Sequence, residues 1–381
     1  MEGNKKTVVV MFGGISCEHE VSVITGLHTL ENIDRDLYDV HAIYHTKKGE
    51  LLYLGDLKNK RDFLKVRRKD VVFGKDKKGG FFETRGFMSR RIYPDCAYLT
   101  FHGGTGESGQ IQGFLEILEV PYTSPNVESS AIAMNKMLTK QVLKDSGVPF
   151  LEGLAVFSDE IEKDVKKVVK KVLSTFSLPV ILKPVHLGSS IGINIAKSEI
   201  ELEKYLLESA QIDSEILIEK FLEGFKEYNI SVRLINGELE VSEIERPLPK
   251  DEILSFADKY IRGGGKKGGK GMASLNRELP AKIDKPLKEK IEDYAKKIFV
   301  SCRCKGMVRI DFMVTAKGQI YLTEINPIPG SMAYYLWEAS GIPFKKQITE
   351  AIEQAINDFK KAKAKRLDYK TDIVEKYINQ T

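Results

Sequence analysis

Arg309, Asp311, Glu324 and Asn326 interrupt two otherwise apolar segments with a spacing that suits a magnesium-phosphate site. Arg309 and Asp311 stand two apart within residues 307–314, and Glu324 and Asn326 two apart within residues 320–326. Side chains at i and i+2 of a strand share one face, and the short turn at 315–319 allows the two faces to lie side by side. Two carboxylates and an amide oxygen are hard donors of the kind Mg²⁺ prefers, with phosphate oxygens and water completing an octahedron. Arg309 beside them suits a phosphate or a developing negative charge. The same alternation also fits a half-exposed sheet face closed by a salt bridge, and alternation alone does not separate the two.

Three further segments have chemical content. Lys183-Pro184 runs into Gly188-Ser189-Ser190-Ile191-Gly192, a small flexible loop whose N–H groups and hydroxyls suit phosphate, with Lys183 adding a point charge. No Gly-Lys-Ser/Thr ends it, so it is not a Walker loop, and a Gly/Ser loop standing alone is more often just a turn. Gly13-Gly14 leads to Glu18, and Phe101-His102-Gly103-Gly104 leads to Glu107. Both follow predicted strands. Open α/β sheets bind ligands outside the carboxyl ends of their strands, so Glu18, His102 and Glu107 are expected to converge. Taken singly, Glu18 reads as a helix-start acid and His102 as a satisfied loop histidine.

These groups need elements to hold them, and 381 residues exceed what one core usually serves. Apolar runs at 7–12, 40–44 and 97–101, with a helical stretch at 21–30, predict an open α/β unit over residues 1–125. The Lys- and Gly-rich residues 75–80 read as an exposed excursion. A central unit over 126–220 is expected to hold a helix at 128–146, an amphipathic helix carrying Ile161 to Phe176, and strands at 180–183 and 216–219. Ser198 and Glu201 suggest a capping box between those strands. An α+β unit over 221–381 is expected to hold strands at 228–234, 239–244, 307–314 and 320–325. Its helices are expected near 285–299 and at the C-terminus, the latter carrying Ile348, Ile352, Ile356 and Phe359 on one face.

A net charge of +5 set against 59 basic and 54 acidic residues favours neither nucleic acid nor membrane as partner. Cys17, Cys96, Cys302 and Cys304 lack disulfide density and zinc spacing, which suits reduced thiols. The first apolar run is too short for a signal peptide, so a cytoplasmic protein is expected.

Taken in order, the segments at Gly13, His102, Met134-Asn135-Lys136, Lys183, Glu219-Lys220, Lys259-Tyr260, Arg309 and Glu324 resemble the D-alanine:D-alanine ligases of the ATP-grasp superfamily. The resemblance spans most of the chain. It implies a three-domain ATP-grasp architecture, ATP and Mg²⁺ as cofactors with Mn²⁺ as a substitute, amino-acid substrates and a homodimer. It also implies residue roles. Lys136, Lys183, Glu219 and Glu227 match ATP-binding positions, and Asp311, Glu324 and Asn326 match magnesium ligands. Glu18, Ser189 and Tyr260 match a hydrogen-bonded trio, and Arg309 with the Gly330 backbone matches the oxyanion stabilisers. His102, Glu107, Lys259, Tyr335 and Leu336 fall at substrate-binding positions, and the glycine-rich residues 256–272 match a lid.

The chain departs from the family at Pro327, where a threonine is usual, at Tyr335, where a small hydroxyl is usual, and at His186-Leu187. The expected activity is ATP-dependent ligation of two D-alanines, or of D-alanine and a related acceptor, for cell-wall precursor synthesis. A ligase of specialised metabolism and a non-catalytic nucleotide-binding protein are the alternatives.

Overall fold

The computed structural model describes residues 5–86, 89–248, 276–365 and 371–379. The lid residues 256–272, with Lys259 and Tyr260, lie outside them.

Val8 to Phe12 are apolar without alternation, which requires cover on both faces of a strand. They form β1 (Lys6–Gly13), followed by α1 (His19–Asn32) and β2 (Tyr38–His45). An antiparallel run follows: β3 (Leu51–Gly55), β4 (Lys69–Asp76), β5 (Gly79–Thr84) and β6 (Arg91–Ile92), before β7 (Cys96–Leu99). β1 is parallel to β2 on one side and β7 on the other, inside a sheet ordered β6-β5-β4-β3-β2-β1-β7. Residues 75–80 are therefore not an excursion. They are the tip of the β4–β5 hairpin, whose register runs from Val71↔Thr84 to Asp76↔Gly79. The aromatic contacts Phe73–Phe82 and Phe73–Phe114 anchor it, and Lys/Gly composition hides such a strand.

The chain continues with α2 (Gln110–Ile117), α3 (Val127–Met134) and α4 (Lys136–Leu143). The single helix expected at 128–146 is broken at Asn135, whose backbone is extended at φ −114° and ψ 105°. Its Oδ1 accepts from the N–H groups of Met137 and Leu138 at 3.0 and 2.8 Å, an N-cap that sets Lys136 at the first helical position.

β8 (Gly153–Phe157), α5 (Ser158–Thr175), β9 (Val180–Pro184), β10 (Asn194–Ala196), α6 (Glu199–Ala210) and β11 (Glu215–Lys220) form an antiparallel sheet ordered β10-β9-β11-β8, with its own core around Val156, Val172, Leu182 and Ile218. Ser198 caps α6 through the Glu201 N–H, and Glu201 reaches back to the Lys197 N–H, one residue earlier than a capping box has it.

The third sheet is built from β12 (Lys226–Ile235) and β13 (Glu238–Val241). A small ribbon, β14 (Arg246–Pro247) with β15 (Arg277–Glu278), and α7 (Lys285–Ser301) precede its last two strands, β16 (Met307–Val314) and β17 (Ile320–Asn326). Its order is β13-β12-β16-β17. After α8 (Tyr334–Ala339), α9 (Phe344–Lys363) sends Ile348, Ile352 and Ile356 into the core of the first sheet. Tyr38 Oη donates to Glu353 at 3.0 Å at that seam. This docking holds the end of β7 close to the end of β17. Among the described residues, no helix is long and apolar enough to cross a membrane.

Candidate active site

A small cavity of about 30 Å³ sits where the three sheets meet. Glu18, His102 and Glu107 reach it from the first sheet's loops, and Lys136 and Ser189 from the central region. Arg309, Glu324, Asn326 and Gly330 complete it from the third sheet.

The loop after β7 is stapled to the segment after β17. Glu107 accepts from the Gly103 N–H at 2.7 Å and from the Ile328 N–H at 3.0 Å. Burial, reinforced by nearby Glu18, pushes its carboxyl above the usual carboxylate range. His102 Nδ1 lies 2.9 Å from the Ile328 carbonyl, which only accepts, so Nδ1 carries the proton and Nε2 accepts from Thr25 Oγ1 at 3.0 Å. Burial holds this imidazole down at about 4, neutral at physiological pH. The satisfied-loop reading of His102 thus holds at the same time as its place in the cavity wall.

Glu18 precedes α1 at that helix's positive end, its N–H donating to Ser16 Oγ at 3.0 Å. Ser189 Oγ donates to Glu18 Oε1, tying the first sheet to the 188–192 loop. Ser189 and Ser190 both have left-handed backbones, φ 53° and 60°, a conformation that persists only where the surroundings over-determine it. A Cβ at Gly188 would lie 3.2 Å from Glu18 Oε2, a tight approach.

On the third sheet Asp311 pairs across strands with Glu324, and Arg309 with Asn326, so all four side chains share one face. Arg309 grips Asp311 through two bonds, Nε–Oδ1 at 2.7 Å and Nη2–Oδ2 at 2.8 Å, and Asn326 Nδ2 donates to Asp311 at 3.1 Å. The Asp311 charge and its hydrogen bonds hold the buried Arg309 guanidinium well above its ordinary value against the opposing burial penalty. The salt-bridge reading of this alternation is realised in these residues. Among the described residues, no group of three or more His, Cys, Asp or Glu side chains is arranged to hold a metal ion by itself. A metal at Asp311, Glu324 and Asn326 would take its remaining ligands from phosphate and water, which is how Mg²⁺ is usually held; the donor set fits.

Lys183 and Glu219 lie outside this cavity, on neighbouring strands of the central sheet. Glu219 is flanked by Lys183 and Lys140, each 2.6 Å away. Burial lowers the Lys140 ammonium and, on its own, would raise Glu219, yet two facing cations hold Glu219 below its ordinary value and ionised. Lys136 Nζ donates to the carbonyls of Leu187 at 2.6 Å and Pro184 at 3.2 Å, drawing the start of the 188–192 loop onto α4. Glu227 stands on the Asn229 face of β12, two residues further along.

Tyr335 and Leu336 do not line the cavity. Leu336 is buried in the first core, and the Tyr335 hydroxyl donates to Glu245 at 3.0 Å. Glu245, Arg277 and Asn229 were missed by sequence reasoning, because the strand expected at 239–244 stops one residue short of Glu245. The Glu243-Ile244-Glu245 alternation was the available signal.

Sequence profiles for the D-ala D-ala ligase N-terminus and C-terminus match residues 7–125 and 142–353. The chain belongs to the D-alanine–D-alanine ligase family. The D-alanine–D-alanine ligase of Thermosipho africanus is 34% identical over 375 residues, covering 97% of this chain and 98% of the relative. That of Staphylococcus epidermidis is 30% identical, covering 96% and 99%. Among solved structures, the D-alanine–D-alanine ligase of Coxiella burnetii superposes with a TM-score of 0.78 at 25% identity over 99% of both chains. VanG, a D-Ala:D-Ser ligase from Enterococcus faecalis, gives 0.76 at 25% identity over 92% of this chain and 100% of that one. The fold is the ATP-grasp fold of this family. The enzyme is an ATP-dependent carboxylate–amine ligase that joins D-alanine to D-alanine for cell-wall synthesis, and its substrates are small amino acids.

Proposed function

We propose that the cavity residues carry this ligation through an acyl phosphate. The observation that supports the reading is the convergence of Glu18, Ser189, Arg309 and Glu324, drawn from all three sheets, on one small cavity. Glu18 receives the ammonium of the first D-alanine and presents its carboxylate. One carboxylate oxygen attacks the γ-phosphorus and ADP leaves; the amine of the second D-alanine then attacks the acyl carbon, and phosphate leaves with that oxygen. Arg309 and the Gly330 N–H hold the oxyanion of the tetrahedral state. Asp311, Glu324 and Asn326 would hold Mg²⁺, with Mn²⁺ as a substitute, and the ion supplies charge neutralisation on the phosphates. Lys136 and Lys183 contact phosphate, Glu219 lies toward adenine and Glu227 toward ribose. His102 and Glu107 wall the first amino acid's site, and exclusion of water protects the acyl phosphate from hydrolysis.

Lys259, Tyr260 and a lid at 256–272 belong to the same proposal, as do division of the chain near residues 125 and 220, a homodimeric state and a cytoplasmic location. Glu324→Gln tests the metal assignment. The magnesium concentration for half-maximal activity is expected to rise at least about tenfold, since even outer partners of metal ligands are worth that much. An unchanged magnesium dependence would remove Glu324 from the site.

A further inference from the structure

Beyond the metal face, the same row of side chains continues across the third sheet. Asp311 pairs with Asn229, and Asn229 forms an antiparallel bridge with Glu245, so Glu324, Asp311, Asn229 and Glu245 stand side by side on one face. Glu245 is 1% exposed. Its Oε1 accepts from Asn229 Nδ2 at 3.0 Å and from the Tyr335 hydroxyl at 3.0 Å, and its Oε2 meets Arg277 Nη1 at 2.5 Å. Arg277 lies over the Tyr335 ring, 4.1 Å from its centre. A buried carboxylate would be costly without such partners; here an amide, a phenol and a guanidinium supply them.

Tyr335 terminates a strained segment that starts at the cavity. Ser331, Met332 and Ala333 are left-handed in succession, with φ 55°, 53° and 46°. Non-glycine residues hold that conformation only where their surroundings fix them. The segment is fixed at its start by Glu107 through the Ile328 N–H, in its middle by Gln347 on the Met332 carbonyl at 2.7 Å, and at its end by Glu245 on Tyr335. Gly330, which lines the cavity, lies between the first two ties.

We infer that Glu245, with Arg277, is a positioning residue for the second amino acid. It ties the segment after Gly330 to the sheet row that carries Asp311, and so sets the shape of the acceptor side of the cavity. The inference rests on the reading that Gly330 borders the tetrahedral centre. It assigns to Tyr335 the task of a tether, its hydroxyl engaged by Glu245, and it assigns acceptor affinity to a buried ion pair lying outside the cavity wall. The phenol that replaces the family's small hydroxyl thereby shapes the pocket from behind.

The test is steady-state kinetics of the full-length enzyme with D-alanine and ATP, resolving the KM values of the first and second D-alanine. Tyr335→Phe keeps the ring under Arg277 and removes the hydroxyl's ties to Glu245 and to Arg277, the two members of the ion pair. Its acceptor KM is expected to rise about tenfold, with the first KM and the ATP KM within about twofold, because uniform loss of acceptor binding raises KM alone. Glu245→Gln tests the same tie, and the double variant should show less than the product of the two single effects. Trp337→Phe removes the neighbouring bond from Nε1 to Ser231 Oγ, 3.0 Å, on the same helix, and should leave the acceptor KM unchanged. An active Tyr335→Phe enzyme with an unchanged acceptor KM, or with all three KM values raised together, overturns the inference. Wild-type enzyme that makes no dipeptide from D-alanine overturns the reading beneath it, and the inference with it.

Discussion

Arg309→Lys is expected to lower kcat by about 10²–10³-fold, the loss typical of removing one preorganised oxyanion donor. Lysine keeps the charge but not the planar fork. Arg309 uses Nε and Nη2 on the two oxygens of Asp311, which aims the remaining edge of the guanidinium; an ammonium at the end of a flexible stem holds no such direction. The interaction strengthens only as charge develops on the reacting carbonyl, so the ATP KM should change by less than about threefold. Single-turnover measurement of dipeptide formation separates this loss from slow product release. A kcat within tenfold of wild type would take Arg309 out of the chemistry and leave it as a partner of Asp311 alone.

Glu219→Gln has the largest expected effect on stability. The substitution leaves Lys140 and Lys183, with side chains only 12% and 8% exposed, facing each other without a counter-charge. Breaking a buried pair in this way costs on the order of 3–5 kcal/mol. The pH dependence has a definite sign. Glu219 is held below its ordinary 4.5 in the folded protein, so its contribution is fully present above that value and is lost as pH falls through the lower, folded value. The difference in thermal midpoint between wild type and variant should therefore shrink below about pH 4.5. Lys183 is a proposed phosphate contact, so the ATP KM should rise in the same variant. A midpoint equal to wild type at pH 7 would contradict the account of the triad.

Much of this arrangement was legible in the sequence because its carriers are short-range. The i, i+2 pairs at 309/311 and 324/326 declare a strand face without reference to the rest of the chain, and the glycine-serine loop declares a close backbone approach. The apolar run at β1 declares a doubly covered strand. What was not legible depends on long-range packing. Asn135 is the exception: it splits the helix through its own side chain capping the second half, a local signal that the longer helical reading passed over. The β4–β5 hairpin exists because Phe73 and Phe82 find partners, and those partners are distant in sequence. The Glu245–Arg277–Tyr335 cluster joins residues 32 and 90 positions apart, and no periodicity links them. That α9 would bury its isoleucines in the first core, and not against the third sheet, follows from where the chain returns, which composition does not encode.

The central claim is tested most directly with D-alanine labelled by ¹⁸O in its carboxyl group, supplied as the only amino acid with ATP and Mg²⁺, with mass analysis of both phosphate and product. The account predicts D-alanyl-D-alanine and inorganic phosphate carrying one labelled oxygen per turnover, transferred when the amine displaces the acyl phosphate. Phosphate without label alongside the dipeptide would contradict the acyl-phosphate route, and absence of D-alanyl-D-alanine would contradict the ligase assignment itself.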